Sequence, residues 1–113
     1  MILTENFSSE EFGCNCGCGF DKINLNLVYC LQVLRDIHGF EIIITSGCRC
    51  MKYNMQKGGH PHSYHLIGKA VDFQTKNIDV LALTIEDWSG GFHYYKEENF
   101  IHLDISQRRR WTS

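Results

Sequence analysis

Residues Phe100 to Ile105 alternate strictly between two kinds of side chain. Phe100, His102 and Asp104 fall on one side of an extended chain, and Ile101, Leu103 and Ile105 on the other, because strand side chains repeat every two residues. Such a segment needs a core on its apolar side and leaves a row of polar groups on the other. It cannot be a helix face, and it makes this chain a sheet protein with one face free for chemistry.

The neighbouring segments agree. Phe92 to Tyr95 precedes this strand across Lys96 to Asn99, which predicts a β-hairpin. Glu41 to Thr45 is a β-branched run and Lys69 to Thr75 a second apolar one, so both read as strands. Leu27, Leu31, Leu34 and His38 recur at helical spacing, widened by Val28 and Ile37, with Asn24 as cap and Gly39 as terminator. Ser8-Ser9-Glu10-Glu11 is a capping box that opens a short turn with Phe12 inward. Met51 to Gln56 predicts one helical turn. Asn77 or Asp79 starts a helix to about Trp88, carrying Val80, Leu81, Leu83 and Ile85. Gly13 to Gly19 and Lys57 to His62 are loops. The expected architecture is α+β: a small, mainly antiparallel sheet with helices packed on one face. No repeat or linker divides the chain, so residues 1–113 form a single domain.

The chain has 113 residues, 43% of them hydrophobic and 12% aromatic, enough for one core. Its formal net charge is -2, which gives no reason to expect a nucleic-acid partner. The basic run Arg108 to Arg110 reads as a solvated tail. The first residues lack the basic start and apolar stretch of a signal peptide, and the longest apolar strand, Ile42 to Ile44, is far too short for membrane insertion. Synthesis in the cytoplasm without a signal peptide is therefore expected. Of the six cysteines, Cys14, Cys16 and Cys18 are spaced unlike a Cys-x-x-Cys zinc knuckle. Cytoplasmic thiols stay reduced, so the reading adopted is free thiols in a Gly-rich loop, with a second metal as the alternative.

The chemistry concentrates in Ser63-Tyr64-His65-Leu66-Ile67-Gly68-Lys69-Ala70-Val71-Asp72 and in His102 and Asp104. A glycine turn followed by a strand can bring His65 and Asp72 to one point, and His102 and Asp104 share a strand face. Two imidazoles and a carboxylate suit a catalytic zinc with an open fourth position. Taken singly, a His beside a core strand is ordinarily a satisfied polar residue, and an Asp at a strand end is ordinarily a turn or cap. His60 and His62 compete as ligands by residue type, but they sit in a glycine loop that fixes no direction.

The order Ser46-Gly47-Cys48-Arg49, Asn54, Gly58-Gly59, Ser63 to Asp72, Phe100 to Asp104 and Trp111 resembles the zinc D-Ala-D-Ala carboxypeptidase and L-alanyl-D-glutamate peptidase family. The similarity is to the single-domain branch of phage endolysins and murein endopeptidases, whose fold the hedgehog signalling domain shares. The turn at Ser8 to Phe12 and the Cys-rich loop also resemble that branch. The resemblance implies one zinc ion held by His65, Asp72 and His102. It implies a peptidoglycan stem-peptide substrate and a peptidase of carboxypeptidase or endopeptidase type. Arg49, Ser63 and His93 are its substrate-facing candidates, with Arg49 toward a carboxylate or oxyanion. A monomer is expected, acting on the cell wall after release or export.

Several positions depart from the pattern. Cys48 stands where an aromatic residue is common, Tyr53 where His is frequent, and His93 where Gly is common. Asn99 stands where many relatives carry an acid three positions before the last ligand. Asp104 is then the first candidate for general base, or alternatively a carboxylate that orients a ligand; Glu97, Glu98 and His93 follow. The competing class is a catalytically inactive zinc-containing module of the same fold that binds cell wall or a partner.

Overall fold

The computed structural model describes residues 1–111, so the last two positions of the expected domain lie outside the described residues. Helix α1 is Leu25–His38, strand β1 is Ile42–Ser46, α2 is Met51–Gln56, β2 is Ala70–Thr75, α3 is Ile78–Thr84, β3 is Gly91–Tyr95 and β4 is Phe100–Asp104. Short 3-10 turns occupy Ser9–Phe12 and Tyr64–Ile67. The strands form one antiparallel sheet in the order β1-β2-β4-β3.

The register separates two faces. Ile44, Phe73, Ile101 and Tyr94 stand opposite one another across the four strands. With Val71, Leu103 and Phe92 they point to the side where Leu27, Val28 and Leu31 of α1, Leu81 and Ala82 of α3, and Phe12 pack. Phe12, Leu27, Val28, Leu31, Phe73, Leu81, Ile101 and Leu103 are completely buried, and each such side chain contributes about 1.5–3 kcal/mol on burial. The neighbouring register row is Ser46, Asp72, His102 and His93, which belongs to the opposite face. The α+β architecture expected from the alternation is the one observed.

Capping follows local chemistry. Asn24 Oδ1 accepts from the backbone N–H of Asn26 at 2.9 Å and of Leu27 at 3.3 Å, and Gly39 ends α1 with φ 80°. The Ser8 N–H donates to Glu11 Oε2 at 2.7 Å, one arm of the capping box. The β3–β4 turn closes on Asn99 at φ 59°, a left-handed conformation that Asn tolerates well.

Three expectations are corrected. Ile37 is 73% exposed; it lies roughly 80° around the helix from Leu27, on the side away from Val28, and so misses the stripe. Helix α3 stops at Thr84 rather than near Trp88. Beyond it the chain turns so that Ile85 packs into the core and Trp88 Nε1 donates to the Asp104 carbonyl at 2.8 Å; Val80 and Leu83 are left exposed. The Arg108 to Arg110 run is not a solvated tail. Arg108 Nη1 donates to the Trp88 carbonyl at 2.9 Å and Arg110 to the carbonyls of Gly90, Glu86 and Trp88. The Arg109 N–H donates to the Gly90 carbonyl.

Gly68 joins the sheet's polar face to the helical layer. It has φ 69°, its carbonyl accepts from the Asn24 N–H at 2.8 Å, and an added Cβ would come 2.1 Å from the Lys22 carbonyl oxygen. Gly39 has a similar φ of 80° with nothing near its missing Cβ. Gly39→Ala carries only the left-handed strain, roughly 1–3 kcal/mol. Gly68→Ala should lower the unfolding free energy measured in urea by clearly more, because the backbone clash adds to that strain. Equal losses for the two variants would show that the Lys22 approach does not constrain the turn.

Candidate metal centre

His65 is delivered by the Tyr64–Ile67 turn. Ser63 caps this turn, its Oγ accepting from the His65 N–H at 3.2 Å, and Gly68 ends it. Asp72 comes from the middle of β2 and His102 from β4, directly opposite each other in the register. The central strands thus place one carboxylate beside one imidazole, and the turn lowers the second imidazole onto them.

Each ring has one nitrogen engaged away from the point of convergence. His65 Nδ1 lies 2.6 Å from the Gly47 carbonyl oxygen, and His102 Nε2 lies 2.8 Å from Asp104 Oδ2. The Gly47 carbonyl requires N–H on His65 Nδ1, and His102, which has a carboxylate oxygen at each nitrogen, leaves Nδ1 free for a metal when it gives its Nε2–H to Asp104. His65 Nε2 and His102 Nδ1 then carry lone pairs, and they stand 3.3 Å and 2.9 Å from Asp72 Oδ1. Lone pairs this close repel unless a cation lies among them. The three residues each offer a ligand atom, all within 4.8 Å of one another. The donor set, the tautomers and the crowding of lone pairs all fit a divalent metal such as zinc.

Charge is arranged to the same end. Burial opposes ionisation of Asp72, but the adjacent His102 and His65 rings overcome it and hold the carboxyl well below the ordinary range. Burial likewise opposes a charged His102, and the carboxylates of Asp104 and Asp72 raise its pKa in spite of it. The metal-free centre therefore attracts a proton at the point where a cation fits.

Arg49 lines this cleft, and three donors fix its guanidinium. Nη2 reaches Asp72 Oδ2 at 3.2 Å, Nε reaches Ser46 Oγ at 3.0 Å, and Nη1 reaches Asn54 Oδ1 at 3.3 Å. Asn54 is itself completely buried and donates to the His60 carbonyl at 2.9 Å. Asp104 has no exposed surface. Its Oδ1 accepts from the Gly91 N–H at 3.0 Å, from the Ser106 N–H at 3.1 Å and from Ser106 Oγ; its Oδ2 accepts from His102 and Arg109. Gly91 allows this approach, since a Cβ there would lie 2.3 Å from Oδ2.

The cleft has a volume of about 690 Å³. Tyr95, Phe100 and Trp111 form one wall, Ser63, Tyr64 and Gly59 line it elsewhere, and His60 and His62 line its margin. His60 and His62 are exposed and stand outside the group that converges on a metal position. Glu97 and Glu98 sit in the exposed β3–β4 turn and do not line the cleft. His93 does not line it either. Its ring stacks on Trp111 at 5.3 Å and meets Tyr95 edge-on at 4.4 Å. Burial lowers its pKa, and its Nε2 is buried with no hydrogen-bond partner among the described residues.

Sequence reasoning missed Arg109. Its guanidinium bonds to Asp104 and lies over the rings of Tyr64 at 5.4 Å and Trp111 at 5.2 Å. The sole available signal was its place in a short basic run, two residues before Trp111. Reasoning from side chains also could not supply the Gly47 carbonyl that orients His65.

Comparison with known proteins accords with this geometry. A probable peptidoglycan L,D-endopeptidase MepK of Haemophilus influenzae is 31% identical over 91 residues, covering 74% of this chain and 49% of that protein. The peptidoglycan L,D-endopeptidase MepK of Escherichia coli K12 is 33% identical over 78 residues, covering 60% of this chain and 42% of that protein. The chain spans about half the length of these curated relatives or less. The pattern of the peptidase M15 family matches residues 5–104, a stretch that contains all three converging residues, and the chain belongs to that family.

Proposed function

We propose that this chain is a zinc-dependent endopeptidase that hydrolyses peptide bonds in peptidoglycan stem peptides. The observation that carries the reading is the pair of imidazoles whose outer nitrogens are engaged, so that both free lone pairs converge with Asp72 Oδ1. The names of the relatives supply the substrate class and the endopeptidase choice. A zinc ion at this point supplies a Lewis acid that activates water and polarises a peptide carbonyl.

The protein's own groups do the positioning. Gly47 and Asp104 hold the two rings in the tautomers that leave inward lone pairs. Arg49 takes Asp72 Oδ2 and so keeps Oδ1 facing the imidazoles. In this reading Arg49 and Asp104 are positioning residues: Asp104 orients His102, and the proton acceptor of the reaction is another group. The cleft falls within the roughly 300–1,000 Å³ range of small-ligand sites, which suits a short peptide. Its aromatic wall of Tyr95, Phe100 and Trp111 offers apolar contact beside the reacting carbonyl. The activity is exerted at the cell wall, reached by release or export.

Digestion of purified peptidoglycan, with mass spectrometry of the new termini, tests the activity directly. The expected products are stem-peptide fragments cut at one bond type. His65→Ala should abolish them and remove the zinc held at this centre. Zinc bound at His65 with no cleavage of any wall preparation would instead identify an inactive module.

Asp104→Asn separates orientation from proton transfer. As the partner of His102, its loss should weaken zinc binding by about 10- to 100-fold, with turnover largely restored at saturating zinc. A fall in turnover of roughly two to four orders of magnitude with zinc affinity unchanged would make Asp104 the base.

A further inference from the structure

Four cysteines from distant parts of the sequence meet on the side of the molecule behind Arg49. Cys14, Cys16 and Cys18 come from the glycine-rich loop and Cys50 from the start of α2, and their sulfur atoms all lie within 4.8 Å of one another. Cys14 and Cys16 Sγ are 3.4 Å apart, and Cys16 and Cys50 Sγ are 3.6 Å apart. A disulfide requires about 2.05 Å, and all four thiols are free. Tetrahedral zinc with Zn–S bonds of about 2.3 Å places its sulfurs about 3.8 Å apart. The two spacings of 3.4 and 3.6 Å lie close to that figure.

We propose that Cys14, Cys16, Cys18 and Cys50 bind a second, structural zinc ion. Four thiolates close the coordination sphere and leave no position for water, as in structural rather than catalytic zinc sites. The loop is shaped for it: the Gly17 N–H closes a turn on the Cys14 carbonyl at 3.0 Å, and Gly17 and Gly19 adopt φ 84° and 92°. The reversals let alternate cysteines of a Cys-x-Cys-x-Cys run face one point. Backbone donors also aim at sulfur, where they support negative charge. The Cys50 N–H lies 3.4 Å from Cys14 Sγ, and the Tyr53 N–H lies 3.4 Å from Cys50 Sγ, where Cys50 caps α2. Binding releases the remaining thiol protons to solvent.

This site has a structural task. Residues 47–50 form a short segment held at successive positions by His65 and Phe12. The Gly47 carbonyl meets His65 Nδ1, the Cys48 N–H donates to the Phe12 carbonyl at 2.8 Å, and the Arg49 N–H donates to the His65 carbonyl at 3.0 Å. Cys50 would be fixed by the metal. The second zinc thus anchors the segment that aims both His65 and Arg49, and it does so whether or not the chain is a peptidase.

Elemental analysis of the full chain, purified under reducing conditions without chelator, tests the proposal. Two zinc ions per chain are expected. The double variant Cys16→Ser/Cys18→Ser, altered only at exposed positions, should retain one, and His65→Ala should retain the other. One zinc lost with His65→Ala and untouched by the cysteine changes would overturn this proposal and leave the peptidase reading standing. One zinc lost only with the cysteine changes would support it and sink the reading of the His65 centre. Should the double variant fail to fold, cobalt substitution of the unaltered chain decides. A thiolate-to-metal charge-transfer band in the near ultraviolet is expected, and its absence at two bound cobalt ions would overturn the site. Intact mass short by the hydrogens of a disulfide in the unaltered chain would overturn it as well.

Discussion

The Asp72 carboxylate is the contact on which the polar face depends. One oxygen stands between two imidazole nitrogens and the other takes the Arg49 guanidinium. Asp72 and Arg49 are nearly buried, with side-chain exposures of 9% and 13%. Removing one partner of such a pair leaves an uncompensated charge, which costs about 3–5 kcal/mol. The arrangement gains little net stability over an apolar alternative; what it secures is direction. With Oδ2 committed to Arg49, Oδ1 points at the imidazoles, and the two rings have a common target.

That direction is passed outward through groups that hold the holders. Arg49 is set by Ser46 and Asn54, and Asn54 in turn grips the His60 carbonyl of the glycine loop. Asp104 is set by the Gly91 and Ser106 backbone and by Arg109. Fully satisfied networks of this kind are stiff, and in a buried setting a half-satisfied one is costly. The orientation of the three converging side chains therefore rests on residues outside that trio.

Much of this was legible in the sequence, and the boundary is physical. The strands and the caps of α1 follow from periodicity and turn residues, and the grouping of His65, Asp72 and His102 was implied by the family resemblance of the motif order. Those signals are local or carried by side-chain type. The role of Gly47 is carried by a backbone carbonyl, which every residue has, so no residue type announces it. Arg109 was hidden because three consecutive arginines look like a charged tail, whereas here Arg108 and Arg110 satisfy carbonyls of the loop before β3 and Arg109 bonds to Asp104. The cysteine cluster was hidden for a related reason. Three of the four sit in one run with unusual spacing, and the fourth, Cys50, lies beyond a helix and a strand, so the tetrad exists only after folding. Ile37, Val80 and Leu83 show the opposite failure: apolar type alone does not place a side chain on the stripe that packs.

The same sheet register that builds the core also builds the site. On β2 and β4, Val71, Phe73, Ile101 and Leu103 are completely buried on one face while Asp72 and His102 face the cleft. A slip of one residue in either strand would exchange the faces, driving Asp72 or His102 into the apolar layer and Val71 and Phe73, or Ile101 and Leu103, out of it. Burial of the aliphatic residues is thus what pairs Asp72 with His102. The third converging residue arrives by a separate device: the capped turn at Ser63 to Gly68 carries His65 onto the pair, and Gly68 closes that turn against the Lys22 carbonyl. Two of the converging residues come from the paired central strands, and one comes from a turn that Ser63 caps and Gly68 ends.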